Sequence, residues 1–266
     1  MSSRRADRTL LLEAVRAAGA LALSYFRTDL KQWEKTPGDP VSEADHAVND
    51  LLEQRLRRAR SGYGWLSEES ADAPERLARN RVWMVDPIDG TRAFLRHRPE
   101  FTVAVALVEA GRPVLGAVFN PATDEFFEAE AGRGARLNGA PIRISAQAGL
   151  AGARLIAGKR LFERAGWPAT PEGTSFASIN SIAYRMALVA AGRYDACVSL
   201  SAKSDWDIAA GELIVAEAGG RTSTALGQAL TYNQATPRHP SVIAAGPALH
   251  AELMRLLAAG KRHARH

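Results

Sequence analysis

The stretch Trp83-Met84-Val85-Asp86-Pro87-Ile88-Asp89-Gly90-Thr91 joins an apolar strand to two carboxylates, a glycine and a hydroxyl. The order Asp-Pro-Ile-Asp is typical of a β-turn, which predicts that Asp86 and Asp89 lie close together. Adjacent carboxylates repel each other unless a proton or a cation lies between them, and carboxylate oxygens prefer hard cations such as Mg²⁺. The stretch therefore predicts a magnesium site, with a solvated acidic turn as the alternative. Gly90 leaves its amide open to an anion because it has no side chain.

Two further segments place acidic residues at the ends of predicted elements. Glu68-Glu69 follow a predicted strand at 62–66, and Asp207 lies at the start of a helix predicted at 207–218. Gly219-Gly220 would end that helix. A solvated glutamate pair and a simple helix cap are the alternatives. Taken together, the three segments predict a cluster of carboxylates at element ends, where functional sites are commonly assembled.

These segments together resemble the inositol monophosphatase superfamily, a group of Mg²⁺-dependent, Li⁺-sensitive phosphomonoesterases. That family shows Glu-Glu after a strand, then Asp-Pro-Ile/Leu-Asp-Gly-Thr, then Trp-Asp before a helix ending in Gly-Gly. The matching segments here are Glu68-Glu69, Asp86 to Thr91, and Trp206-Asp207 with Gly219-Gly220. Val41-Ser42-Glu43-Ala44-Asp45 also resembles the family's Val-Thr-x-x-Asp segment, so the resemblance covers roughly residues 8 to 258.

The resemblance implies an α+β fold, a layered α-β-α-β-α sandwich of the inositol monophosphatase and sugar phosphatase type. An N-terminal lobe (1–140) would carry most metal ligands, and a C-terminal lobe (141–266) would carry Asp207 and substrate contacts. The implied cofactor is two or three Mg²⁺ ions. Glu68, Asp86 and the Ile88 carbonyl would hold the first ion. Asp86, Asp89 and Asp207 would hold the second, and Glu68 would also help to hold a weak third.

The resemblance also implies catalytic roles for Glu68, Thr91 and Asp45. Thr91 and Glu68 would position the attacking water, while Asp45 would orient Thr91. Attack would be direct and in line, without a covalent intermediate. The residues expected to contact the substrate are Asp89, Gly90, Thr91, Asn180, Ser181, Lys203 and Asp207.

The choice of substrate depends on the segment that precedes Trp206-Asp207. In the family's inositol and histidinol phosphate enzymes, a glutamate seven residues before the aspartate binds the polyol or amine. By that count the position here is Leu200, which cannot accept a hydrogen bond. Lys203 resembles the basic approach of the 3′(2′),5′-bisphosphate nucleotidases, which must bind a second phosphate, although a solvated loop lysine is equally consistent. We therefore expect a bisphosphate nucleotide such as 3′-phosphoadenosine 5′-phosphate, with inositol phosphate or histidinol phosphate as the alternative.

Composition narrows the class of protein. The 266 residues are 46% hydrophobic and 24% charged, which is ordinary for a globular protein. The net charge of +5 allows nucleic-acid binding, but the arginines are scattered and no basic stripe is interleaved with aromatic residues, so we expect no nucleic-acid partner. No apolar run approaches the length of a membrane span. The single cysteine, Cys197, and the absence of an evident signal peptide predict a cytoplasmic protein.

Other classes of function stay open at this point. A non-catalytic metal-binding or partner-binding protein would keep the acidic cluster, but would have no need of Thr91 or a water-positioning glutamate. A homodimer is compatible with the sequence, which does not determine the oligomeric state. The basic tail from Lys261 to His266 is expected to be disordered.

Hydrophobic patterning predicts a mixture of helices and strands. Residues 103–119 are typical of a β-hairpin, and the Gly/Pro-rich segment 132–141 predicts a loop or hairpin near the domain boundary. Helices are predicted near 7–26, 43–59, 181–191, 207–218 and 247–259. Strands are predicted near 62–66, 81–86, 101–108, 112–119, 125–129, 194–199 and 241–245.

Overall fold

A computed structural model describes residues 3–158, 161 and 171–263, and these residues form five alternating layers of helices and sheets. In order, the layers are a helix pair, a seven-stranded sheet, a second helix pair, a five-stranded sheet and a single helix. This order confirms the expected α-β-α-β-α sandwich. Three apolar clusters fill the spaces between the layers.

Each layer is made of elements with the following bounds. The helices are α1 (Ser3–Tyr25), α2 (Glu43–Ala59), α3 (Thr91–Leu95), α4 (Ile182–Ala190), α5 (Asp205–Glu217) and α6 (Pro247–His263), with a 3₁₀ turn at Pro74–Ala78. The strands are β1 (Gln32–Thr36), β2 (Asp39–Ser42), β3 (Gly64–Ser67), β4 (Arg81–Asp89), β5 (Thr102–Glu109), β6 (Arg112–Asn120), β7 (Glu125–Glu130), β8 (Ala135–Leu137), β9 (Ala140–Pro141), β10 (Arg154–Ala157), β11 (Ser175–Ala177), β12 (Ala196–Ser199), β13 (Lys203–Ser204), β14 (Arg221–Ser223), β15 (Arg238–His239) and β16 (Val242–Ala245).

The seven-stranded sheet is covered by helices on both faces. Its strands follow the order β3-β4-β5-β6-β7-β8-β9, and β3 and β4 run parallel while the other neighbours run antiparallel. Along β4, Trp83 and Val85 pack with α1 and α2, whereas Val82 and Met84 pack with α4 and α5. Because both faces are buried, the strands are continuous apolar runs rather than alternating ones.

Helix α5 lies in the central layer and is buried along most of its length. Gly116 of β6 permits this packing, because a Cβ at that position would lie 3.1 Å from the carbonyl oxygen of Ala210. The helix ends in a Schellman arrangement in which Gly220 N donates to Val215 O and Gly219 has a positive φ of 91°. The expected glycine ending of this helix is confirmed.

The five-stranded sheet follows the order β11-β10-β12-β16-β14 and mixes parallel and antiparallel pairs. Along β12, Ala196 and Val198 pack toward α6, while Cys197 faces the central helices. Burial raises the pKa of the Cys197 thiol to about 11, so this residue behaves as a small core side chain, as expected.

Three differences from the sequence-based predictions concern the site and the C-terminal end. The segment Asp86 to Asp89 is not a free β-turn, because β4 continues to Asp89 and pairs with β5 through a bulge. The hairpin formed by β1 and β2 was not predicted. Helix α6 continues to His263, so part of the tail expected to be disordered is helical, and residues 264–266 lie outside those described.

The remaining predictions agree closely with the observed elements. The 103–119 hairpin is confirmed as β5 and β6, and the 132–141 segment contains the β8–β9 hairpin at the edge of the first sheet. The seven-stranded sheet uses residues 64–141 and the five-stranded sheet residues 154–245, near the predicted lobe boundary, although the division into lobes stays a prediction. Among the described residues, no helix combines the length and apolarity that crossing a membrane requires.

Candidate active site

Two neighbouring parallel strands bring the first carboxylates together. β3 ends at Ser67 directly before Glu68, and Ser67 pairs with Val85, the residue before Asp86. The amide of Glu68 donates to Val85 O at 3.2 Å. Because parallel strands end at the same edge of a sheet, Glu68 and Asp86 lie side by side.

The bulge in β4 explains how Asp86 and Asp89 reach one cleft. In a regular strand, residues three apart point to opposite faces of the sheet. Asp86 pairs with Ala104 and Asp89 with Thr102, so one extra residue is inserted on β4 and both carboxylates line the cleft. Pro87 has no N–H to donate, and a bulge is one of the few places in a sheet that accepts proline.

Gly90 forms the corner between β4 and α3. Its φ is 101°, and a Cβ there would lie 2.8 Å from the carbonyl oxygen of Glu100. Only glycine is compatible with both conditions. The corner places Thr91 at the first residue of α3, where its side chain lies beside the carboxylates.

Asp45 holds the hydroxyl of Thr91 from the start of α2. Asp45 Oδ2 accepts hydrogen bonds from Ser42 N at 2.8 Å and Ser42 Oγ at 2.6 Å, which forms a capping box. The Thr91 hydroxyl lies 3.1 Å from Asp45 Oδ1 and 3.0 Å from Ile88 O, two acceptors for its single hydrogen. The structure thus brings together Asp45, Ile88 and Thr91, although Asp45 itself does not line the cleft.

Asp207 approaches the same cluster from α5. It is the third residue of that helix, and its Oδ2 accepts a hydrogen bond from Ser204 N at 2.8 Å in a second capping box. One carboxylate oxygen each of Glu68, Asp86 and Asp207 lie within 4.8 Å of one another. Glu68 directly follows β3, Asp86 lies in β4 and Asp207 in α5, so three separate elements contribute.

Crowding and burial perturb these carboxylates strongly. Burial, reinforced by Glu68, Asp89 and Asp207, raises the pKa of Asp86 well above its ordinary value. Burial and the charges of Asp89 and Glu68 raise the pKa of Asp207 to about 8. Burial also raises the pKa of Glu68, although Lys35 opposes the shift. Such a cluster favours either protons or a bound cation.

The oxygen atoms present suit a hard divalent cation. Asp86 Oδ1 is buried and has no hydrogen-bond partner among the described residues, an arrangement that costs free energy unless another group satisfies the atom. Every donor in the cluster is a carboxylate oxygen, and the Ile88 carbonyl lies beside Thr91. This donor set fits Mg²⁺ and does not fit a softer metal.

Asp89 is held differently from the other three carboxylates. Its Oδ2 accepts hydrogen bonds from Ser181 Oγ at 2.7 Å and Ala183 N at 2.6 Å. Burial raises the pKa of Asp89 to about 6, partly offset by these hydrogen bonds. Ser181 also caps α4 through Tyr184 N and is fully buried. The hydroxyl of Ser181 is thus enclosed and supports Asp89, so a substrate contact at Ser181 stays a prediction, whereas Asn180 does line the cleft.

Lys35 of the unpredicted β1–β2 hairpin reaches into the cluster. Its Nζ lies 2.7 Å from Glu68 Oε1 and 2.8 Å from Glu69 Oε1. Burial alone would lower the pKa of Lys35, but the two glutamates outweigh it and raise the pKa above its ordinary value. Arg92 holds the same hairpin through the carbonyl of Gly38. The only sequence signal for this contact is the turn Thr36-Pro37-Gly38.

The opposite side of the cleft carries cations and hydroxyls. Lys203 Nζ donates to Ser201 Oγ and to Ala202 O, both at 3.0 Å, and burial lowers the pKa of Lys203 despite the nearby Asp207. Arg185, which the sequence analysis missed, donates to the carbonyls of Ile179 and Asn180. Within the described part of the chain, neither cation has a carboxylate within ion-pairing distance.

Leu200, the position compared with the family's glutamate, does not line the cleft. Leu200 packs against the cluster between the five-stranded sheet and α6, on the side away from the cleft. Ser199 and Ser201 line the cleft instead, and their hydroxyls lie 3.3 Å apart. The absence of a carboxylate at this place stands, but hydroxyl groups replace it rather than an apolar side chain.

The site is thus one cleft of about 400 Å³ with two chemically distinct sides. We call the carboxylates Glu68, Asp86, Asp89 and Asp207 the floor. We call Arg185, Ser199, Ser201 and Lys203 the far wall. Of the residues expected to form the site, those that line the cleft are Glu68, Asp86, Ile88, Asp89, Gly90, Thr91, Asn180, Lys203 and Asp207.

Comparison with known proteins identifies one family throughout. The model of the inositol monophosphatase family matches residues 5–262. An inositol-1-monophosphatase of Rhizobium meliloti is 35% identical over 85% of this chain and 88% of its own length. A histidinol-phosphatase of Chlorobaculum parvum is 34% identical over 80% and 84%, respectively. The crystal structure of the extragenic suppressor protein SuhB from Bartonella henselae matches with a TM-score of 0.81 and 30% identity, over 94% of this chain and 97% of that one.

Proposed function

The chain belongs to the inositol monophosphatase family of phosphatases, and on that premise we propose that it is a Mg²⁺-dependent phosphomonoesterase acting on a small phosphorylated metabolite. The observation that carries the proposal is the convergence of Glu68, Asp86 and Asp207 around an unsatisfied buried oxygen. A cluster of this kind beside a positioned hydroxyl suits hydrolysis better than simple metal storage, because storage has no need of Thr91.

Two groups of residues would hold the metal ions. Glu68, Asp86 and the Ile88 carbonyl would form one group, and Asp86, Asp89 and Asp207 the other, with Glu68 also available to a weak third ion. Bound Mg²⁺ would supply positive charge to the phosphoryl oxygens and lower the pKa of a water molecule. Lys35 Nζ lies 2.7 Å from Glu68 Oε1, so it offsets part of the floor's negative charge.

The remaining residues would orient the reactants. Thr91 is fixed between Asp45 and Ile88 O, so its hydroxyl oxygen is directed and able to accept a hydrogen bond from the attacking water. Glu68 would take up the proton from that water as a general base. The amides at Gly90 and Thr91 would bind phosphate oxygens. Water would attack phosphorus directly, in line with the leaving oxygen.

We propose a 3′(2′),5′-bisphosphate nucleotide as the substrate. Lys203 and Arg185 of the far wall support this choice because both are half-buried and face the cleft, and within the described ranges their acceptors are all neutral. Neutral acceptors do not neutralise these cations, so they are available to bind an anionic group other than the phosphate on the floor. Inositol phosphate is the second candidate, because Ser199 and Ser201 offer hydroxyl groups that can hydrogen-bond to a polyol.

One enzyme preparation tests both levels of the proposal. Release of phosphate from 3′-phosphoadenosine 5′-phosphate and from inositol 1-phosphate is measured with Mg²⁺, with a chelator, and with Mg²⁺ plus millimolar Li⁺. We expect turnover only with Mg²⁺, inhibition by Li⁺, and a higher kcat/KM for the bisphosphate. Full activity in chelator contradicts the phosphatase mechanism. A kcat/KM ratio at or below one contradicts only the choice of substrate.

A further inference from the structure

A row of partly buried polar contacts lies outside the lining of the cleft and belongs to none of the roles described so far. It begins at Asp72, four residues after Glu68, and ends at Asp205, two residues before Asp207. Between them lie Arg76 of the 3₁₀ turn and Asn233 of the loop that precedes β15. The row therefore joins the two chain segments that carry Glu68 and Asp207.

Arg76 forms the first half of this connection. It is only 2% exposed, an unusual burial for a charged side chain. Its Nε and Nη2 contact the two oxygens of Asp72 at 2.6 and 2.8 Å. Its Nη1 donates to Asn233 Oδ1 at 2.8 Å, and its Nη2 also donates to Gln234 O at 3.1 Å.

Asn233 and Asp205 form the second half. The side-chain amide of Asn233 returns a hydrogen bond to Arg76 O at 3.2 Å, while its backbone N–H donates to Asp205 Oδ2 at 2.8 Å. Asp205 is 1% exposed, and its Oδ1 lies 3.0 Å from His239 Nε2. The amide of Asp205 donates to Pro237 O at 3.0 Å, next to the β13–β15 pair. A continuous chain of hydrogen bonds thus runs from Asp72 through Arg76 and Asn233 to Asp205.

From this arrangement we infer that Asn233 is a positioning residue that fixes the separation of Glu68 and Asp207. Like charges on the floor repel, so in the absence of a cation the two segments are driven apart. Glu68 follows a strand of the seven-stranded sheet, whereas Asp207 lies in α5, and the row ties the two segments directly. Holding both carboxylates at one distance lowers the cost of gathering them around a cation, in the way that outer groups orient metal ligands.

This inference rests on the proposed function, and direct binding of Mg²⁺ to the substrate-free protein tests it. Asn233→Gly removes the side chain, keeps the N–H that Asp205 accepts, and tolerates the positive φ of 58° at this position. We expect its calorimetric Kd for Mg²⁺ to rise about tenfold, the lower end of the effect of outer-group mutations. Asn233→Asp keeps the acceptor for Arg76 but loses the donor to Arg76 O, so its Kd for Mg²⁺ should lie between those of wild type and Asn233→Gly.

Asn138 provides a matched control within the same chain. It too has a positive φ, 49°, and its side chain joins Phe126 N at 2.8 Å to Asp124 O at 2.7 Å, in a hairpin that does not line the cleft. Asn138→Gly should lower the melting temperature and leave Mg²⁺ affinity unchanged. If Asn138→Gly weakens Mg²⁺ binding as much as Asn233→Gly, general loosening explains the effect and the inference is wrong.

A second variant keeps the inference testable should Asn233→Gly not fold. Arg76→Lys keeps the charge but cannot contact Asp72 and Asn233 with one planar fork, so it should weaken Mg²⁺ binding by a similar factor. Unchanged Mg²⁺ affinity in the folded variants overturns this inference alone. A wild-type protein that binds no Mg²⁺ overturns the proposed function and the inference together.

Discussion

The floor and the far wall of the cleft carry opposite charges and are held by opposite backbone groups. On the floor, Asp89 and Asp207 accept hydrogen bonds from the amides of Ala183 and Ser204. On the far wall, Arg185 and Lys203 donate to backbone carbonyls, among them those of Ile179 and Ala202. Neutral backbone groups therefore help to hold both sides without cancelling their charge. Lys35 offsets only part of the charge of the floor, which leaves the floor for cations and the far wall for anions.

This contrast would favour a ligand that carries a phosphomonoester and a second anionic group. A phosphomonoester brings one dianionic group that requires cations, and the floor attracts them. A second anionic group on the same molecule would require the cations of the far wall. The two sides should respond to different experiments, because the floor affects metal binding and chemistry, whereas the far wall affects recognition of the substrate.

The largest effect is expected at the centre of the floor. Asp86→Asn removes the carboxylate shared by both groups of metal ligands and should lower kcat/KM by about 10³-fold or more, since metal ions contribute several kcal/mol to such reactions. In chelator, the same variant should melt at a higher temperature than wild type, because its buried charge and the repulsion around it are gone. Phosphate release and thermal melts measure the two effects.

Asp195→Asn is the matched control for that experiment. Asp195 is also a buried carboxylate, 4% exposed, but it accepts hydrogen bonds from Arg154 and lies outside the cleft. We expect Asp195→Asn to lower the melting temperature without reducing activity at permissive temperature. An Asp86→Asn protein that retains wild-type turnover would show that the floor is not the metal site.

The stability of the cation-free protein should fall as the pH rises. Asp89 titrates at about 6 and Asp207 at about 8 in the folded chain, whereas an unfolded carboxyl has a pKa of about 4. Between about pH 4 and 8 the folded state thus binds more protons than the unfolded state, so its stability decreases through this window. Melting curves in chelator from pH 5 to 8.5 should show a loss of several degrees.

Addition of Mg²⁺ should abolish or reverse that slope, because the ion binds the deprotonated carboxylates. Asp207→Asn should flatten the upper part of the curve even in chelator. A melting temperature that is constant or increases with pH in chelator would contradict the raised pKa values of Asp89 and Asp207.

Much of the floor was predictable from the sequence, because its residues belong to contiguous motifs. Asp86, Asp89 and Thr91 stand within six residues of one another, so their proximity follows from local geometry. The local geometry itself was wrong in detail. Isolated Asp-Pro-Ile-Asp favours a β-turn, but pairing of β4 with β5 continues the strand and converts the turn into a bulge.

The residues that sequence reasoning missed act through contacts distant along the chain. Lys35 meets Glu68 across 33 residues, and Arg76 meets Asn233 across 157. No local propensity encodes such a pair. Leu200 was compared with a cleft residue but packs away from the cleft, and this error has another cause. Counting residues does not show which side chains at the end of a short strand face the cleft. The alternation along β12 decides that point, and it turns Ser199 inward.

A smaller effect is expected at Thr91, which lies beside the floor. Thr91→Ala removes the hydroxyl that Asp45 orients and should lower kcat by about 10²-fold, the lower range for a group that assists proton transfer. Calorimetric Mg²⁺ affinity should change far less, since the Ile88 carbonyl and the carboxylates remain. Thr91→Ser retains the hydroxyl and should recover most of the rate. If Thr91→Ala retains the wild-type kcat, the hydroxyl of Thr91 does not position the attacking water.

The smallest effect, and the one that tests the far wall, is expected at Lys203. Lys203→Ala should raise KM for 3′-phosphoadenosine 5′-phosphate about tenfold, equivalent to about 1.4 kcal/mol, with kcat nearly unchanged. The reason is that this half-buried ammonium, which has no carboxylate partner in the part of the chain that the structure describes, binds the second phosphate equally in the ground state and the transition state. Its loss therefore appears in KM. KM for inositol 1-phosphate, which has no second phosphate, should stay the same.

Arg98→Ala serves as the control, because Arg98 is an exposed cation already paired with Glu100 at 2.7 Å and does not line the cleft. Equal losses for both substrates would assign Lys203 to the shared phosphate and leave the bisphosphate preference without support from the far wall.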